Sequence, residues 1–73
     1  MENKKYYVNS SGESVDISTL HDEHLLNALN KKQKDVFYSE DKDEIARGLE
    51  DIKNLKEEMH KRFNEKYEKL GDN

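Results

Sequence analysis

The 73-residue chain has no cysteine, no proline and no tryptophan, and only three glycines. Without cysteine no disulfide can staple a small core, and that absence fits a reducing compartment such as the cytoplasm. Three glycines and no cysteine leave little from which to build an oxyanion hole or a phosphate cradle. The spacings HExxH, CxxC, GxSxG and the phosphate-binding loop do not occur. Catalysis is therefore not expected, and no cofactor is implied. No apolar run approaches the roughly 18 residues of a membrane span, and no signal-peptide-like apolar segment follows Met1. Asn9-Ser10-Ser11 matches a glycosylation sequon, but without a secretory signal it reads as turn chemistry.

Apolar residues are also scarce. Hydrophobic residues make up 32% of the chain and charged residues 41%. Seven Leu, three Ile, three Val and two Phe come to about a fifth of the residues, near the level below which chains stay disordered. A chain of this length buries only about 60% of its unfolded surface. Long helices, self-association or folding on a partner are the remaining sources of stability. The net charge is −4 and unevenly spread. Acids dominate Ser39–Asp51, while Ile52–Leu70 carries six bases against four acids.

What is present reads as a single small α+β domain over 1–73, mostly α. Tyr6, Tyr7 and Val8 alternate as a strand should, Asn9 to Gly12 are turn formers, and Val15 and Ile17 resume the alternation. The pattern predicts a β-hairpin over 5–17. One of Tyr6 and Tyr7 is expected in the core, the other available to a partner. A lone hairpin is marginal in water, so one face must pack on helix. A short helix is predicted over 21–34, capped by Ser18 or Thr19, with Leu25, Leu26 and Leu29 as its apolar stripe. Val36-Phe37-Tyr38 is either its last turn or a connector. A long amphipathic, coiled-coil-like helix is predicted over 42–70, with Asp41 as its cap and Glu44 three residues on. Ile45, Leu49, Ile52, Lys56, Met59, Phe63, Lys66 and Leu70 recur in steps of four and three. Acid-before-base pairs four apart, such as Glu58→Arg62 and Glu57→Lys61, each add about 0.2–0.5 kcal/mol.

The predicted long helix would extend roughly 43 Å, and the hairpin and first helix would cover about half of it. Met59, Phe63, Tyr67 and Leu70 would then lie bare, and such a stripe normally meets another chain. Homo-oligomerisation through the long helix is the economical expectation and a foreign partner helix or groove the other, with Ile45, Leu49, Ile52, Met59 and Phe63 as the interface in either case. Glu40, Asp41, Asp43 and Glu44 form a candidate acidic contact surface that could imitate a phosphate backbone. Their plainer reading is a helix start enriched in acids because the dipole favours them.

Other constellations weigh less. His21 and His24 share a face, but a metal site would need ligands from elsewhere, so no metal is expected. Lys31, Lys32 and Lys34, and Lys61, Arg62, Lys66 and Lys69, are diluted by acids in a chain of pI near 5.3. That balance argues against direct nucleic-acid binding.

Tyr7, Gly12, Val15 and Ile17, followed by Asp22, His24, Leu25 and Asn27, resemble a recurrent pattern in short uncharacterised bacteriophage proteins. In that pattern a β-hairpin leads into a helix beginning acid-x-His-Leu-x-Asn. The match covers about a third of the chain. It departs in carrying Tyr where Trp is frequent and His21 where Thr often caps the helix. The resemblance implies a phage or prophage origin, and a structural clasp of His24 and Asn27 on the hairpin. It carries no catalytic residues. The combined expectation is a small non-catalytic protein of the host cytoplasm that binds and inhibits or redirects a host protein, anti-defence factors being one such group. The rivals are an oligomeric sponge for a nucleotide-type ligand, with Lys31, Lys32 and Lys34 facing a shared cleft, and a nucleic-acid-associated or structural accessory protein.

Overall fold

The computed structural model describes residues 5–9 and 11–71; Ser10 of the expected turn lies outside them. Strand β1 (Tyr6–Val8) pairs antiparallel with β2 (Ser14–Asp16), Tyr7 opposite Val15. The turn between them is held by Asn9, whose Oδ1 accepts the backbone N–H groups of Ser11 and Glu13 at 2.9 and 3.0 Å. Gly12 takes φ +82°, a left-handed conformation that costs glycine little and other residues more. The Ile17 N–H donates to the Lys5 carbonyl at 2.9 Å, a further link between the two arms.

A 3₁₀ turn (Ile17–Thr19) follows β2 directly. Asp16 organises it by accepting from the Ser18 N–H at 3.0 Å and the Ser18 hydroxyl at 2.7 Å. Thr19 Oγ1 donates to the Asp16 carbonyl at 2.7 Å. Ser18 and Thr19 are thus spent on this turn and do not cap the helix as the sequence pattern suggested. Helix α1 (Asp22–Tyr38) starts instead after His21, which caps it with backbone only. Asp22 and Glu23 in the first turn still complement the helix dipole.

Helix α1 runs four residues past its expected end, so Val36-Phe37-Tyr38 is its last turn. No Gly or Pro interrupts the stretch, and Val36 packs against the core. Three residues then reverse the chain. Ser39 Oγ accepts from the Asp41 N–H at 3.2 Å and donates to Glu44 Oε2 at 3.1 Å. Asp41 Oδ1 accepts the Asp43 N–H at 2.9 Å, the N-cap that the sequence called for. Helix α2 (Lys42–Gly71) has 30 residues, a length of roughly 45 Å. The molecule's longest dimension, 49 Å, is essentially this helix.

Among the described residues the core is five: Ile17, Leu25, Leu29, Ile52 and Leu55. Tyr7, Leu20, Ala28, Val36 and Met59 pack around it. Tyr7 is therefore the inward tyrosine of the hairpin, while Tyr6 is half exposed. The hairpin is fastened to α2 at two further points. Lys5 pairs with Glu57, and the Val8 N–H donates to Asp51 Oδ2 at 3.5 Å. Asp51 also pairs with Lys32 of α1 at 3.2 Å, both side chains largely shielded. One carboxylate thus joins β1, α1 and α2.

Gly48 sets the spacing of the two helices. A Cβ placed on it would overlap a Val36 side-chain methyl, and a β-branched valine has little rotamer freedom to yield. Alanine at 48 should gain up to about 1 kcal/mol of helix propensity but lose about 1–3 kcal/mol to overpacking. Gly48→Ala is expected to lower the urea midpoint. In the Val36→Ala background the same change should be neutral or stabilising. A Gly48→Ala protein as stable as the parent would show that the helices do not meet there.

Candidate functional site

The faces of α2 divide the molecule into a closed side and an open side. Gly48, Ile52, Leu55 and Met59 form the seam against α1. Asp51 and Glu58, seven apart, lie on one side of it. Asp51 meets Lys32 and Val8, and Glu58 accepts from Arg62 Nε at 2.8 Å. Leu49, Lys56 and Phe63 lie on the other side, also seven apart, so they form one row along the helix. Leu49 is 54% exposed and Phe63 61%. Leu26 follows the buried Leu25 and so turns about 100° away from it; it is 48% exposed.

Leu26 and Phe63 face each other across a shallow groove between α1 and α2, of about 70 Å³, floored by Leu25 and Met59. Its polar end is an ion cluster. Asp22 accepts from Arg62 at 2.9 Å and from Lys66 at 3.3 Å. Arg62 is in turn held by Glu58, so the expected Glu58→Arg62 pair forms and is extended across to α1. The Arg62 hydrogen bond, followed by that of Lys66, holds the Asp22 carboxyl below its ordinary pKa.

The five residues expected at an interface separate into two groups. Ile52 is buried in the core and Met59 packs against it, both used by the protein's own α1. Ile45 is half buried, while Leu49 and Phe63 are exposed. Helix α1 covers more of α2 than its expected length allowed, reaching from Val36 beside Gly48 to Asp22 beside Lys66. The exposed large apolar side chains toward the end of α2 are Phe63, Tyr67 and Leu70, without Met59.

The acidic residues Glu40, Asp41, Asp43 and Glu44 are all exposed. Asp41 and Glu44 already serve the loop and helix start. His21 and His24 stack edge to face with centroids 5.9 Å apart. His24 and Asn27 are both exposed, and among the described residues neither hydrogen-bonds the hairpin as the expected clasp would; Tyr7, Ile17, Lys5 and Val8 hold it instead. Among the described residues no group of three His, Asp or Glu is gathered as metal ligands, and no helix is long and apolar enough to cross a membrane.

A hollow of about 780 Å³ lies between the hairpin side of α1 and α2. Lys32, Lys34 and Arg47 line it together with Asp35, Glu44, Glu50 and Asp51. Cations balanced by carboxylates give it no preference for a phosphorylated ligand, and Lys32 is already paired.

Leu26 and Lys56 are the open-side residues that sequence reading assigned elsewhere. The angular offset of Leu26 from Leu25 and the seven-residue spacing around Lys56 were the signals available. Comparison with protein-family models, with curated proteins and with solved structures returns no significant match.

The Asp22 cluster gives the fold a dependence on acid. Because the folded carboxyl has the lower pKa, its pairing stabilises fully above the unfolded carboxyl's range and fades as pH falls through the folded value. Asp22→Asn should flatten the fall of the melting temperature below about pH 4, while at neutral pH Arg62 keeps its pairing with Glu58 and Lys66 loses that with Asp22. Equal acid slopes for parent and variant would remove Asp22 from the account.

Proposed function

We propose that this is a small non-catalytic interaction protein that docks another protein on the open side of its helical hairpin. The observation that carries the reading is the row Leu49–Lys56–Phe63 beside Leu26. It exposes large apolar side chains in a chain that has few of them. A 73-residue protein with a five-residue core would gain from burying these groups internally, so leaving them outside favours a use there. The closed side, by contrast, is occupied by the hairpin and its ion pairs.

The resemblance to short phage proteins supports a partner from the bacterial host and an inhibitory or redirecting effect on it. Anti-defence activity is one form of that reading. Self-association is supported less, because Ile52 and Met59 are taken up within the chain and Lys56 interrupts the exposed row.

Leu49→Asp and Phe63→Asp test the face directly. Both positions are exposed, so each should keep the helical circular-dichroism spectrum and shift stability by no more than about 0.5 kcal/mol. The tagged parent is expected to retain a host protein from bacterial lysate in near-stoichiometric amount through high-salt washing, and to alter that protein's activity when added to it. Either variant should lose most of the retention. Retention unchanged in both folded variants would move the docking site elsewhere and defeat the reading.

A further inference from the structure

The chemistry of the partner can be read from the charges on the same face, on the basis of the docking reading above. We infer that the open side binds an amphipathic helix whose apolar stripe is bordered by Asp or Glu. Lys56 lies in the middle of the exposed row, between Leu49 and Phe63. Lys53 and His60 are each within about 60° of Lys56 around the helix, and all three are exposed. Among the described residues neither Lys53 nor Lys56 forms an ion pair. The acids nearest to them in sequence are engaged or face elsewhere: Asp51 pairs with Lys32, Glu57 with Lys5 and Glu58 with Arg62, while Glu50 lines the hollow on the hairpin side. A chain of net charge −4 therefore keeps a locally positive strip along its exposed apolar row.

Two other occupants fit the strip poorly. In a two-fold antiparallel pairing of α2 with its copy, the midpoint of Lys42–Gly71 would fall beside Lys56, bringing like charges together. An anionic membrane would meet the cations, but Leu26 and Phe63 stand on two helices across a groove instead of on one convex ridge. A third helix lying along the row answers both features. Its aliphatic side chains would seat between Leu26 and Phe63, and its carboxylates would meet Lys53 and Lys56. Leu49 to Phe63 spans roughly 21 Å, so about four turns would fill the site.

The test is selection of displayed amphipathic helical peptides of mixed charge on the immobilised full-length protein, at physiological salt. The peptides enriched are expected to be acidic. Their affinity should fall at least tenfold in Lys53→Glu/Lys56→Glu and be lost in both Leu49→Asp and Phe63→Asp, with folding of each variant checked by circular dichroism. The double charge variant should itself enrich basic peptides.

Neutral or basic peptides enriched on the parent and lost in Phe63→Asp would overturn the acidic partner while leaving the docking face intact. No enrichment, or peptides indifferent to Leu49→Asp and Phe63→Asp, would overturn both. A dimer in sedimentation that Phe63→Asp dissociates would make a second copy the occupant. Binding to phosphatidylserine vesicles that Lys53→Glu/Lys56→Glu abolishes would make it a membrane. Either result overturns the inference.

Discussion

Leu55 is the side chain on which the rest of the molecule closes. It is fully buried, clustered with Leu25 and Leu29 of α1, with Ile52 of its own helix and with Ile17 of the 3₁₀ turn. The 3₁₀ turn and both helices therefore share one apolar cluster, against which Tyr7 of β1 packs. A Leu side chain fully buried contributes about 1.5–3 kcal/mol, and a small domain has only about 5–15 kcal/mol of net stability. With five residues in the cluster, none is dispensable. The polar fastenings matter for the same reason. Asp51 between Lys32 and Val8, and Glu57 against Lys5, fix the hairpin over a core too small to hold it by area alone.

The spacing of the helices and the exposure of the open side have a common origin. Gly48 lets α2 approach α1 at Val36, which brings the seam of Ile52, Leu55 and Met59 into register with Leu25 and Leu29. A two-helix hairpin can bury only one stripe of each helix. The hairpin covers the flank carrying Ala28, Lys32 and Asp51, and no element of the described chain covers the flank carrying Leu26, Leu49 and Phe63. The apolar stripe of α2 is wider than the single seam that α1 can fill. The surplus is what a partner would meet.

Much of this architecture was legible in the residues. Alternation around Gly12 marked the hairpin, and Asp41 with an uninterrupted amphipathic pattern marked α2. The misreadings have local causes. Ser18 and Thr19 looked like caps because cap and 3₁₀ turn draw on the same side-chain chemistry, and only the pairing with Asp16 separates them. The end of α1 was placed early because Val36, Phe37 and Tyr38 have modest helix propensity; tertiary packing of Val36 decided otherwise. The heptad seam mixed two rows. Ile52 and Met59 belong to the buried one, Leu49 and Phe63 to the exposed one, and a step of three or four cannot tell them apart until the neighbouring helix is placed. Leu26 was hidden by the same ambiguity on α1.

The three-residue reversal at Ser39–Asp41 also shapes the route by which the chain reaches this structure. Val36 meets Gly48 across a separation of only twelve residues, whereas Asp22 and Lys66 are 44 apart and Val8 and Asp51 are 43 apart. Closing a loop costs more entropy the longer it is, so helix pairing that starts at the reversal and spreads outward shortens every later closure. Contacts dominated by such a zipper belong to the fast-folding class. The β-hairpin, local in itself, then docks onto a surface that is already assembled. Opening would run in the reverse order, the Asp22–Lys66 end of the helix pair parting before Val36 leaves Gly48.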